Sequence, residues 1–181
     1  VCQNLYLEVD NTGAKSIISL VGSPGTKPWH NTGTAGEVRK FYESRNFLYV
    51  VVGPTVYTIS TGLIRTTIGT IGTSSGWVDI TDDGVNVCFF DTTGGWVWDG
   101  VTFTAITDAD FPANLSGATY QDGYHIVSKA GTDEFYLSSL PGGASDPTAW
   151  DATDFALAEG NGDILLAPIS VQRQLWLIGE R

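Results

Sequence analysis

Gly76-Trp77-Val78-Asp79-Ile80-Thr81-Asp82-Asp83-Gly84-Val85-Asn86-Val87-Cys88-Phe89-Phe90-Asp91-Thr92-Thr93-Gly94-Gly95-Trp96-Val97-Trp98-Asp99 reads as three short strands joined by two tight turns. An Asp-Gly pair such as Asp83-Gly84, set between apolar runs, is a strong hairpin signal. The central run, Val85 to Phe90, is apolar on both faces. A one-sided antiparallel sheet would alternate polar with apolar there, so this strand belongs to a sheet covered on both sides.

The pattern recurs on either side. Upstream stand Gly36 to Tyr42, Phe47 to Gly53 and Thr55 to Ile59. Downstream stand Ser116 to Tyr120, Tyr124 to Ser128 and Glu134 to Ser138, and a last unit shows only Ile164 to Ala167 and Leu175 to Ile178. Glu43-Ser44-Arg45-Asn46 and Gln121-Asp122-Gly123 hold the place that Thr81-Asp82-Asp83-Gly84 holds in the first-quoted unit. Outer fourth strands are expected at Ile64 to Ile68 and Thr102 to Ile106. The middle strands begin near Leu48, Val85, Tyr124 and Leu175, at intervals of 37, 39 and 51 residues. Units of roughly 40 to 45 residues with up to four antiparallel strands are the arithmetic of propeller blades. The expected fold is therefore all-β, a propeller-like array of about three and a half antiparallel blades over residues 34–181. Residues 1–33, with Pro24, Gly25 and Pro28, read as an irregular N-terminal arm. Leu140 to Phe155 reads as an extended loop with a helical turn near Ala152 to Ala158. Long rim loops and the arm are natural places for neighbour or partner contacts.

The chain has 181 residues, room for one sizeable core, and 42% of them are hydrophobic. Twenty-two glycines with abundant Thr, Val and aromatics favour strands and tight turns. Nine Lys and Arg against twenty Asp and Glu give a net charge of −11. Such a surface repels phosphate, which argues against a conventional DNA-binding module. Cys2 and Cys88 allow one bridge at most, too few for a disulfide scaffold, and Cys88 reads as a small core hydrophobe. No apolar run approaches the roughly 18 residues that cross a bilayer. The lack of Met, position 1 included, and the apolar run Leu175 to Gly179 read as the ends of a fragment or a processed chain.

Catalytic and metal-binding chemistry finds few candidates. His30 and His125 lie far apart without neighbouring ligands at zinc spacing. The loop carboxylates Asp82, Asp83, Asp108, Asp110, Asp146, Asp151 and Asp154 lack the order of a calcium loop and read as turn caps. Among six tryptophans, Trp77, Trp96, Trp98 and Trp176 fall in strands, where they fill the wedge between blades. Trp29 and Trp150 fall in loops, where fastening a loop and meeting a ligand are equally open. No catalytic, cofactor-binding or metal-binding residue is assigned.

Several motifs in order carry a family resemblance. They are Cys2 to Glu8, Ser19 to Gly25, Leu48 to Gly53 with Val56-Tyr57, Ile106 to Phe111, Tyr120 to Tyr124, Phe135 to Ser138, Trp150 to Gly160 and Leu175 to Gly179. Together they resemble the N-terminal portion of the packaged-DNA stabilisation proteins of short-tailed bacteriophages, also called tail accessory factors. The resemblance implies a non-enzymatic, cofactor-free virion protein of the tail machine, assembled in the host cytoplasm. It implies a ring of copies, hexameric in the family, that helps close the portal channel, retains packaged DNA and links portal and adaptor proteins to the tail needle and spikes. It implies neither specific nucleic-acid binding nor a membrane. Two other classes are open to the residues alone: a carbohydrate-binding or glycan-cleaving propeller, and a bacterial surface scaffold module.

Overall fold

In the computed structural model, which describes residues 5–9, 18–22, 31–158 and 163–180, the chain divides into two compact units, Val1–Gly33 and Thr34–Arg181. In the first unit, β1 (Leu5–Val9) pairs antiparallel with β2 (Ile18–Gly22). The region expected to be an irregular arm thus contains a hairpin, built from the mostly apolar segments Leu5–Val9 and Ile18–Gly22. Cys2, Pro24, Pro28, Trp29 and His30 lie outside the described residues.

The second unit is a series of sheets in chain order. The first blade is β3 (Val38–Ser44), β4 (Phe47–Val52), β5 (Thr55–Ser60) and β6 (Arg65–Thr70). The second is β7 (Val78–Asp82), β8 (Val87–Asp91), β9 (Gly94–Trp98) and β10 (Phe103–Ala105). The third is β11 (Leu115–Gln121), β12 (Tyr124–Lys129), β13 (Glu134–Ser139) and β14 (Asp146–Leu157). A two-stranded sheet, β15 (Leu165–Val171) with β16 (Gln174–Gly179), follows. Every pairing is antiparallel between strands adjacent in sequence.

The expected loop and helical turn over 140–158 are corrected by β14. Only a 3₁₀ turn at Pro141–Gly143 and the residues around it remain irregular. Asp146 and Asp151, each followed two residues later by Thr, look like loop punctuation. Here they cap local kinks inside an irregular strand whose pairing with β13 slips twice. Such slips absorb extra residues without ending a strand.

The central strands explain the stacking. Along β8 the side chains of Val87 and Phe89 join Tyr49, Val51 and Val56 of the first blade, while Cys88 and Phe90 join Ala118 and Val127 of the third. Period-2 geometry sends neighbours to opposite faces, so a doubly apolar strand makes two cores. Phe89, wholly buried, stands 6.1 Å from the Tyr49 ring and 5.6 Å from that of Phe103. Burying such a side chain contributes about 2–3 kcal/mol. The third core joins Ile126 and Phe135 to Leu165, with Leu175 and Leu177 against it.

The first strands of successive blades lie side by side and run the same way. Lys40 meets Asp79 and Ser44 meets Asp82 between β3 and β7; the Ala118 N–H reaches Asp79 across to β11; Ser116 and Thr119 reach Leu165 and Ser170 on β15. Gly117 is the point of closest approach, since a Cβ there would stand 2.8 Å from both Ala167 Cα and Pro168 Cδ.

Candidate functional site

Parallel first strands put all turns of one kind on one edge of the blade series. The turns at 45–46, 61–64, 83–86, 99–102, 122–123 and 172–173 share what we call the turn rim. The turns at 53–54, 92–93 and 130–133 and the linkers 71–77 and 106–114 share the opposite, linker rim. Three of the two-residue turns, Arg45-Asn46, Asp122-Gly123 and Gln172-Arg173, have positive φ at both positions, as the type I′ hairpin requires.

Polar side chains tie the blades together between these rims. Arg39 donates to the carbonyls of Gly53, Thr73, Ser75, Gly76 and Trp77 and to Thr73 Oγ1, at 2.6–3.1 Å. Its planar fork fills a cage of carbonyl oxygens that a lysine would match poorly. Asp79 accepts from Lys40 Nζ at 2.7 Å, from Trp77 Nε1 at 3.1 Å and from the Ala118 amide at 3.0 Å, so one carboxylate touches three blades. Asp91, wholly buried, accepts from the amides and hydroxyls of Thr73 and Thr93 at 2.6–2.8 Å. Burial alone would raise its pKa, but those hydroxyl and amide donors outweigh it and hold Asp91 below the usual carboxylate range.

His125 is as fully enclosed as Asp91. Its side chain is wholly buried; Nδ1 lies 2.8 Å from Thr81 Oγ1, and Nε2 lies 3.4 Å from Asp83 Oδ2 and 3.9 Å from Cys88 Sγ. The ring comes from β12 of the third blade, and all three partners belong to the second. Burial pushes Asp83 up, yet hydrogen bonds from His125, from the Asn86 and Val85 amides and from the Asn86 side chain bring it well below the ordinary value. Burial, with the charges of Asp83 and Asp82, pushes the Cys88 thiol up, the opposite of what a nucleophilic cysteine needs. Residue types suited to proton transfer are thus gathered, but they are sealed between two sheets. What they do there is lock one blade to the next.

Several of the remaining candidate carboxylates hold nearby backbone amides or side chains. Asp82 accepts from the Gly84 amide and Arg45, Asp108 from the amides of Asp110 and Trp150, and Asp151 from Thr153. Backbone donors hold the exposed Asp99 and the half-buried Asp108, and the Thr153 hydroxyl and amide hold Asp151, below the usual range. Among the described residues no group of three or more His, Cys, Asp and Glu is disposed to hold a metal ion.

Trp77, Trp96 and Trp98 pack against interblade cores, whereas Trp176 is 54% exposed on the last sheet. Trp150, read above as a loop residue, is a buried strand residue of β14. It stands edge-on to Phe111 at 4.9 Å and donates from Nε1 to the Pro147 carbonyl. Its role is to fasten. Sequence reasoning missed the Arg39 cage altogether; the signal was a lone arginine opening a first strand, ahead of a Gly- and Ser-rich linker at 72–76.

Serial four-stranded antiparallel sheets, stacked face to face with parallel first strands, define a β-propeller architecture. A family model described as Bacteriophage P22 Gp10, beta-propeller, matches residues 2–181, and the chain belongs to that phage stabilisation family. No curated protein matches it. The chain is accordingly a structural protein of a phage, and among the described residues no helix is long and apolar enough to cross a membrane.

Proposed function

We propose that this chain acts in the phage tail without catalysing a reaction, as part of a ring that helps close the portal channel behind the packaged genome. It would serve there as the link between portal or adaptor proteins and the tail needle and spikes. The observation that carries this reading is the family match over nearly the whole chain, and the stacked blades support it. Their polar groups are spent on joining blade to blade, which leaves the rims for contact. A net charge of −11 disfavours gripping phosphates. Retention of DNA would then come from blocking the channel and from protein contacts. An acidic wall would also let DNA slide out on ejection, where attraction would act as a brake.

The test is a phage with this reading frame deleted. Heads should package DNA and then lose it, and purified protein should restore retention when added back. Heads that keep their DNA without the protein would refute the proposal.

A further inference from the structure

The turn rim of the first two blades carries apolar side chains at its tips. Ile64 is 70% exposed, Val85 67% and Val101 84%, with Leu63 beside Ile64. Hairpin tips ordinarily carry Gly, Asn or Asp, residues at ease in water and at positive φ; Leu63 instead holds φ 59°. The two valines are presented by one device used twice. Asp83-Gly84-Val85-Asn86 and Asp99-Gly100-Val101-Thr102 both have Gly at positive φ, 88° and 98°. In both, the Asp carboxylate accepts from the amides two and three residues on, at 2.5–2.7 Å. In both, the Asp amide donates back to the carbonyl of the fourth residue, at 3.2 and 3.3 Å. Each valine therefore stands on a turn stiffened from beneath. Arg45 joins the tips of the two blades, donating to the Val85 carbonyl at 2.7 Å and to Asp82 at 2.8 Å.

We infer that Ile64, Val85 and Val101 form a preorganised docking surface for a different protein, one whose contacting face is basic and has apolar recesses. The inference rests on the tail-assembly reading above and names the surface and the chemistry of its partner. Rigid apolar knobs lose little freedom on docking, which is how small contacts gain affinity. The surrounding charge selects the partner. Asp82, Asp83 and Asp99 lie at or under these turns and Asp122 on the next blade's turn of the same rim; Arg45 is already engaged by Asp82, Arg65 beside Ile64 lies over the Tyr57 ring, and Arg173 is a single exposed cation further along the rim. Like charge disfavours a second copy docked through this same rim and disfavours DNA, whereas a basic face is drawn in.

The test uses whole virions. A photo-crosslinking amino acid is placed at 64, 85 or 101, with 92 on the linker rim as control. Crosslinks from the three tips to a Lys- and Arg-rich peptide of another protein, and none like them from 92, are expected. Crosslinks to DNA or to a second copy, or none at the tips, would overturn the inference while leaving the tail reading intact; absence of the chain from virions would overturn both. In parallel, Val85→Asn with Val101→Asn should lower occupancy in virions about tenfold, the paired Lys variants should lower it further, and the paired Asp variants less than Lys. These solvent-exposed positions tolerate polar side chains without loss of fold, which a thermal melt of each variant checks. Equal occupancy for the Lys and Asp pairs would overturn the basic partner, and full occupancy for all would overturn the docking surface.

Discussion

At the scale of the residue, the second and third blades are held by a hydrogen-bonding geometry that needs a charged carboxylate. Asp83 has a folded-state pKa below its unfolded one. Its contribution to stability is therefore fully present above the unfolded value, about 4, and is lost as pH falls below it, where the unfolded chain takes up the proton first. Asp83→Asn should cost about 2 kcal/mol near neutral pH. In denaturant titrations the gap between the two proteins should stay constant from neutral pH to about pH 5 and close progressively below about pH 4. Parallel pH profiles for wild type and variant would show that the charge on Asp83 does not hold the blades. Little of this was legible in the sequence. Asp82-Asp83-Gly84 announced a turn, but nothing local says that His125, forty-two residues on, closes over it.

At the scale of the element, strands and turns follow from short-range pattern, and the exceptions have identifiable causes. The doubly apolar run at β8 fixed both its strand state and its two covered faces. β14 escaped the same reading because its Asp and Thr residues hydrogen-bond to their own backbone, as they do in loops. Only the β13 edge beside it turns those residues into a bulged strand. Gly117 presents the opposite case, a residue whose purpose is invisible locally. Without a side chain, β11 approaches β15 closely enough that an added methyl would meet backbone and a proline ring. Gly117→Ala should destabilise the unit by about 2 kcal/mol and speed hydrogen exchange in β15 and β16 ahead of β3 to β6. Uniform protection across all blades in that variant would contradict the close approach as the cause.

At the scale of the whole molecule, charge decides what the protein can hold. Acidic groups are spread over both rims: Glu37, Asp108, Asp110 and Asp133 toward the linkers, Asp99 and Asp122 toward the turns. Among the six described cations, Arg39 is occupied by carbonyls, Lys40, Arg45 and Lys129 by carboxylates, Arg65 lies 5.1 Å over the Tyr57 ring, and Arg173 stands exposed on the turn rim, a single charge against the acidic majority. Duplex DNA should show no mobility shift with this protein at about 0.15 M salt. Binding with a steep salt dependence would mean that retention works by gripping phosphates after all.

Period-2 hydrophobicity, Asp-Gly turns and a recurring unit are written along the chain, so the sequence alone determined strands, blades and their face-to-face stacking. These depend on contacts within a few residues or on which faces are apolar. The tertiary structure decided the rest: the His125 enclosure, the Arg39 cage, the strand state of Asp146–Leu157 and the gathering of Ile64, Val85 and Val101 on one edge. Each of those joins residues tens of positions apart, and such pairs come together only when one blade is laid in register against the next.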